Sequence, residues 1–200
     1  MSLKKNDPHD PRLEYPQCGL LTPVEKVHEN PWFSVFNRGG YFTIEYTQRQ
    51  VLILAVVANK SVVMVRVKRP VIADITLEIP AGGINPHETP NEAASREFRE
   101  ETGIGISPID RFKVLPPLVH MVRGPVIPYI FEVNLTQEEF DKKGSHDNEV
   151  TKVCLFSFEQ IKQMIVDGDI YVGLQIAILA RFFMEYHVQS YPHFLSKNSV

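Results

Sequence analysis

Three carboxylates fall within five consecutive residues at Glu97, Glu100 and Glu101, in the run Arg96-Glu97-Phe98-Arg99-Glu100-Glu101. On a helix, residues three and four apart share a face, so Glu97 stands beside both Glu100 and Glu101. Like charges so placed cost roughly 0.2–0.5 kcal/mol per pair on an exposed helix, and more where water is excluded. A compensating charge is therefore expected. Arg96 and Arg99 are expected on the other side, where Arg96 can pair with Glu92 and Glu100 at four-residue spacing. The simplest remaining partner for the carboxylate face is a divalent cation, and hard oxygen ligands of this kind suit Mg²⁺ or Mn²⁺. A solvated acidic face is the alternative that this run, taken alone, leaves open.

The elements that must hold these groups are marked in the chain. Thr89 is a good N-cap, Pro90 suits the first helical position and Glu92 completes a capping box, while Gly103 can take the left-handed conformation that ends a helix. The spacing predicts a helix from about Pro90 to Thr102. Upstream, the short strand Leu77-Glu78-Ile79 runs into Pro80-Ala81-Gly82-Gly83, where the glycines let the backbone approach the helix closely and the Ala81 carbonyl is left to point inward. A close loop followed by an acidic helix is a metal site in outline.

Around this centre the chain reads as mixed α and β. Residues 1–31 carry Pro8, Pro11, Pro16, Pro23 and Pro31, which predicts an extended arm, with Leu20-Leu21 as a docking pair. Residues 32–48 form a small sheet, its two strands in WFSVF and YFTIEY joined through Asn37-Arg38-Gly39-Gly40. Two strongly apolar strands follow at Val51 to Ala58 and Ser61 to Val67, joined by Asn59-Lys60 and covered on both faces. Further strands are predicted at Phe112 to Leu115, Pro125 to Leu135 and Val150 to Phe156, with a mobile acidic loop over residues 136–149. Ser157 with Gln160 starts a helix that Gly168 ends, and Val172, Ile176, Leu179, Ala180 and Phe183 mark a last amphipathic helix to about His187. Residues 189–200 read as a fraying tail.

Two hundred residues with a net charge of -3 suit one domain with a proper core and carry no basic excess for nucleic acid. Cys18 and Cys154 lack metal-ligand spacing, the first residues lack a secretory apolar run, and no segment approaches a membrane span. A cytoplasmic protein is expected.

Gly82, Glu88, Arg96, Glu97, Glu100, Glu101, Gly103 and Ile104 together resemble the Nudix box, G-x5-E-x7-R-E-U-x-E-E-x-G-U with U apolar, at every fixed position. The resemblance implies an α/β fold, a Nudix-type α/β/α sandwich with a mixed sheet over residues 49–188, and hydrolysis of a diphosphate bond. It implies Glu97 and Glu101 as main metal ligands, Glu100 joining them, the Ala81 backbone oxygen as a further ligand, Glu88 and Arg96 as supporting groups, and Gly82 and Gly103 as backbone positions. The general base in some members lies on a loop after the box, where His146, Asp147 and Glu149 stand here, with Glu149 preferred to Asp147. Val67-Lys68-Arg69-Pro70 followed by Leu77-Glu78-Ile79-Pro80-Ala81-Gly82 is similar to ADP-ribose pyrophosphatases and related nucleoside diphosphate-sugar hydrolases. That likeness implies Arg69 on the substrate phosphates, Glu78 in support, and a homodimer built through the N-terminal sheet. Two departures bear on the substrate: Val67-Lys68 stands where that group has Q-Y, and neither Pro116-Pro117 nor Arg123-Gly124-Pro125 matches its S-P-G loop. GDP-mannose, or a nucleotide sensed without turnover, are the alternatives.

Overall fold

The computed structural model describes Leu13, residues 18–148 and residues 150–190, the side chains of residues 187–190 excepted. Val24–Glu29 (β1), Phe33–Arg38 (β2) and Tyr41–Tyr46 (β3) form a three-stranded antiparallel sheet in the order β1-β2-β3. The predicted hairpin is present. Gly39 and Gly40 turn it at φ of 59° and 93°, where a side chain would be strained, and Asn37 Oδ1 accepts from the Gly40 N–H at 2.9 Å. β1 was not foreseen: Val24–Glu29 falls in the stretch expected to be an extended arm, so the small sheet starts before residue 32. Every residue of β1 is exposed, and its pairing shifts register between Lys26 and His28, so no alternating pattern marked it as a strand. Leu20 does not dock, being 98% exposed, whereas Leu13 is buried in the main core.

The larger sheet contains Gln50–Val57 (β4), Ser61–Arg69 (β5), Asp74–Glu78 (β6), Ala81–Gly83 (β7), Lys113–Leu115 (β8), Tyr129–Leu135 (β9) and Val150–Ser157 (β10). Its path is β10-β5-β4-β9-β8, with β6 paired to β5 and β7 to β4. β4 and β9 run parallel and the other pairs antiparallel, so the sheet is mixed. β9 starts only at Tyr129, just beyond Pro128, which has no N–H to give to a ladder.

Alternation along β4 explains the layers. Val51, Ile53, Ala55 and Val57 face one side, where they meet Ala93, Ala94 and Phe98 of helix Pro90–Thr102 (α1). Leu52, Leu54 and Val56 face the other, where they meet Phe158 and Ile161 of Phe158–Asp167 (α3) and Ile178, Leu179 and Phe183 of Gly173–Ser190 (α4). This is the expected α/β/α sandwich. The stretch 136–149 is not all loop: Gln137–Asp141 forms a short helix (α2), capped by Thr136 and Glu139 in a reciprocal box. Phe140 of α2 enters the α1-side core, and Arg111 holds Glu139 through bonds of 2.6 and 3.1 Å.

Candidate active site

α1 spans the predicted residues and is capped as predicted. Thr89 Oγ1 accepts from the Glu92 N–H and Glu92 Oε2 accepts from the Thr89 N–H, while Gly103 ends the helix at φ 71°. Ala93, Ala94 and Phe98 fasten one side of α1 to the sheet, with Phe98 edge-on to Phe112. That contact turns the carboxylates toward β7. The Ala81 N–H donates to Glu101 Oε2 at 2.9 Å, and Glu101 is only 8% exposed. At Gly82 a Cβ would lie 2.0 Å from the Glu97 carboxyl carbon, so any side chain there would displace that carboxylate.

Arg96 departs from expectation. It lies among the carboxylates rather than on the opposite side, and of its two expected partners it keeps Glu100 but not Glu92, which is taken up by the cap. Its Nε and Nη2 hold Glu88 at 2.8 and 2.9 Å, Nη1 donates to Glu97 at 2.8 Å and to Glu100 at 3.0 Å, and Nη2 also donates to the Gly83 carbonyl at 2.7 Å. The two parallel bonds to Glu88 make this arrangement stronger than a single-point pair to Glu92. One guanidinium thus locks loop, strand and helix together.

The electrostatics follow from burial. Loss of solvent pushes Glu101 up to about 8, and the charges of Glu97, Asp147 and Glu78 add to this against the Ala81 N–H, which favours the ionised form. Burial likewise raises Glu97, outweighing its contact with Arg96. Glu88 is held below the usual range by the Arg96 hydrogen bonds, and Arg96 stays firmly protonated. As the side chains stand, no three His, Cys, Asp or Glu among the described residues are gathered to hold an ion. Arg96 occupies an oxygen of Glu97 and one of Glu100. The donor chemistry still fits a hard divalent cation: Glu97 and Glu101, both raised chiefly by burial, lie against Gly82 and Ala81, and Glu100 stands on the same helix one turn from Glu97.

The segment after α2 is clipped to the end of α1 by backbone bonds. The Gly144 N–H donates to the Gly103 carbonyl and the Asp147 N–H to the Glu100 carbonyl, both at 2.8 Å. These bonds bring Asp147 close enough for its charge to act on Glu101. Glu149 lies outside the described residues. On the sheet, Arg69 and Glu78 meet in a bidentate pair, with both bonds at 2.8 Å. Lys68, Arg69, Pro70, Ala73, Asp74 and Ile75 line a hollow of about 250 Å³ beside that pair.

The NUDIX domain model matches residues 47–172, more than half of the chain. The chain belongs to the Nudix family. No curated protein matches it significantly. Among solved structures it is similar to the crystal structure of an ADP compounds hydrolase, with a TM-score of 0.59 and 18% identity over 84% of this chain and 92% of that one. That likeness is one of fold. Within the Nudix frame, the box residues lie on β7 (Gly82), on the loop after it (Glu88), and on α1 with its C-cap (Arg96, Glu97, Glu100, Glu101 and Gly103). Two nearby residues were missed by sequence reasoning. Gln48 packs where a Cβ on Gly83 would be, and its Nε2 donates to the Ile84 carbonyl. Gln175 reaches from α4 to Glu78 of β6 and to the Ile79 N–H just beyond it. Neither belongs to a motif, so nothing in its local sequence signals the contact.

Proposed function

We propose that this Nudix protein is a divalent-cation-dependent hydrolase that cleaves the diphosphate bond of a nucleoside diphosphate joined to another group, with ADP-ribose, split to AMP and ribose 5-phosphate, as its substrate. The observation that carries this reading is the packing of Glu97 and Glu101 against Ala81 and Gly82, with Arg96 bracing both loop and helix. Glu97, Glu100 and Glu101, with the Ala81 carbonyl, would hold Mg²⁺ or Mn²⁺. Such an ion, when bound, neutralises phosphate charge and lowers the pKa of a coordinated water.

The remaining steps belong to the chain. Arg96 keeps Glu97 and Glu100 in place through its fork to Glu88. Arg69, braced by Glu78, meets the negative oxygens of the diphosphate and offsets the charge that otherwise repels a nucleophile. The loop after α2 supplies the base that takes the proton from the attacking water. The bond from the Asp147 N–H to the last turn of α1 supports Asp147 in this role, and Glu149 on the same loop is the other choice. The exposed aromatics of the small sheet, Trp32, Tyr41, Phe42 and Tyr46, support a homodimer through that surface. Both cysteines are free, which supports action in a reducing cytoplasm; no helix among the described residues is long and apolar enough to cross a membrane.

Lys68 in place of the tyrosine usual before Arg69 is what keeps GDP-mannose as a second reading. The test is hydrolysis of ADP-ribose and GDP-mannose side by side with Mg²⁺. A higher kcat/KM for ADP-ribose is expected, and preference for GDP-mannose overturns the substrate assignment.

A further inference from the structure

Gln175 is 3% exposed in the first turn of α4, on the opposite side of the sheet from α1. A glutamine amide buried there must satisfy both its ends. Its Oε1 accepts from the Ile79 N–H at 3.0 Å, and its Nε2 faces Glu78 Oε2 at 3.4 Å. The two contacts fix the amide's orientation, because the reverse would set oxygen against carboxylate and NH₂ against N–H. Glu78 is 5% exposed and receives both Arg69 bonds together with one from Thr76 Oγ1 at 2.5 Å. Arg69 is about half exposed at its side chain, and the buried Glu78 carboxylate behind it is an anchor for its guanidinium. A long cation left to itself samples many rotamers, and ordering it costs free energy at the moment of binding.

We propose that Gln175 is a positioning residue for diphosphate recognition: by fixing the Glu78 carboxylate it holds the Arg69 guanidinium ready for the substrate phosphates. This rests on the reading that Arg69 meets those phosphates. Gln175→Glu keeps an acceptor for the Ile79 N–H but sets a second carboxylate against Glu78, and Gln175→Met removes both polar contacts at similar volume.

The test is a double-mutant cycle read by calorimetric binding, with Mg²⁺, of α,β-methylene-ADP, whose P–C–P link keeps the charged oxygens of the diphosphate and is not cleaved. Gln175→Glu is expected to weaken binding about tenfold, the equivalent of one charge-assisted contact. In an Arg69→Ala background the same change is expected to alter binding less than about twofold, since it acts through Arg69. Equal weakening in both backgrounds, or none in either, overturns the proposal; if Gln175→Met does not fold, Gln175→Glu decides alone. An Arg69→Ala variant that binds the analogue as well as the wild type defeats the underlying reading of Arg69 instead. Failure of the wild type to cleave ADP-ribose defeats only the substrate assignment.

Discussion

Among single residues, Glu101 is the one on which the proposed chemistry turns. It is buried, it accepts the Ala81 N–H, and its carboxyl is pushed up to about 8. Glu101→Gln is expected to lower turnover about 10²–10³-fold, the effect of removing one organised charge-stabilising group, with an unchanged circular dichroism spectrum. Ordinary Mg²⁺-dependent turnover in that variant would contradict the assignment. The raised pKa also sets a stability window. An acid whose folded pKa lies above its unfolded value of 4.5 holds its proton more tightly when folded, so its contribution is complete below about 4.5 and lost as pH rises toward about 8. Metal-free wild type should therefore lose melting temperature relative to Glu101→Gln across that interval, and Mg²⁺ should restore more of it at pH 8 than at pH 5. Parallel melting curves for the two proteins would contradict this. For the base, Asp147→Asn is expected to reduce kcat more than Glu149→Gln, and the reverse order would assign the role to Glu149. The sequence made the carboxylates legible through their spacing. It made the Arg96–Glu100 pair legible at four-residue spacing but not the fork to Glu88, which depends on how the loop folds over the helix.

At the scale of elements, the best-read pieces were those whose signals are local. α1 carries a cap, a proline and a terminal glycine within its own sequence, and it forms where those signals place it. α2 carries an equally local Thr136–Glu139 box, hidden within a charged stretch that reads as loop. β1 could not be read because its strand state comes from pairing with β2 and not from any pattern of its own. The link from α4 to β6 spans 97 positions and is invisible to any local rule. The junction of α1 with the following loop makes a sharp prediction. Gly103 is left-handed, and a Cβ there would lie 2.5 Å from the Gly144 carbonyl oxygen. Gly103→Ala should destabilise the fold by at least 1–2 kcal/mol, on the order of the left-handed penalty alone, in a urea titration. It should also lower kcat by loosening the backbone clip that holds Asp147. A variant as stable and as active as the wild type would separate the loop from the site.

For the whole molecule, the mixed sheet between α1 on one face and α3 and α4 on the other was readable from apolar runs and from the box resemblance together. The small sheet presents Trp32 at 72% exposure and Phe42 at 51%, a surface suited to a second copy. Sedimentation is expected at twice the chain mass, falling to one chain mass in Phe42→Lys; a monomeric wild type would set the dimer aside. On the proposed reading, the carboxylate helix packed on Ala81 and Gly82 breaks a diphosphate bond with the help of a divalent cation. The most direct test is to incubate the protein with ADP-ribose, with Mg²⁺ or with EDTA, and identify the products by mass. AMP and ribose 5-phosphate are expected with Mg²⁺ and intact ADP-ribose with EDTA; ADP and free ribose, or equal cleavage without metal, would overturn this reading.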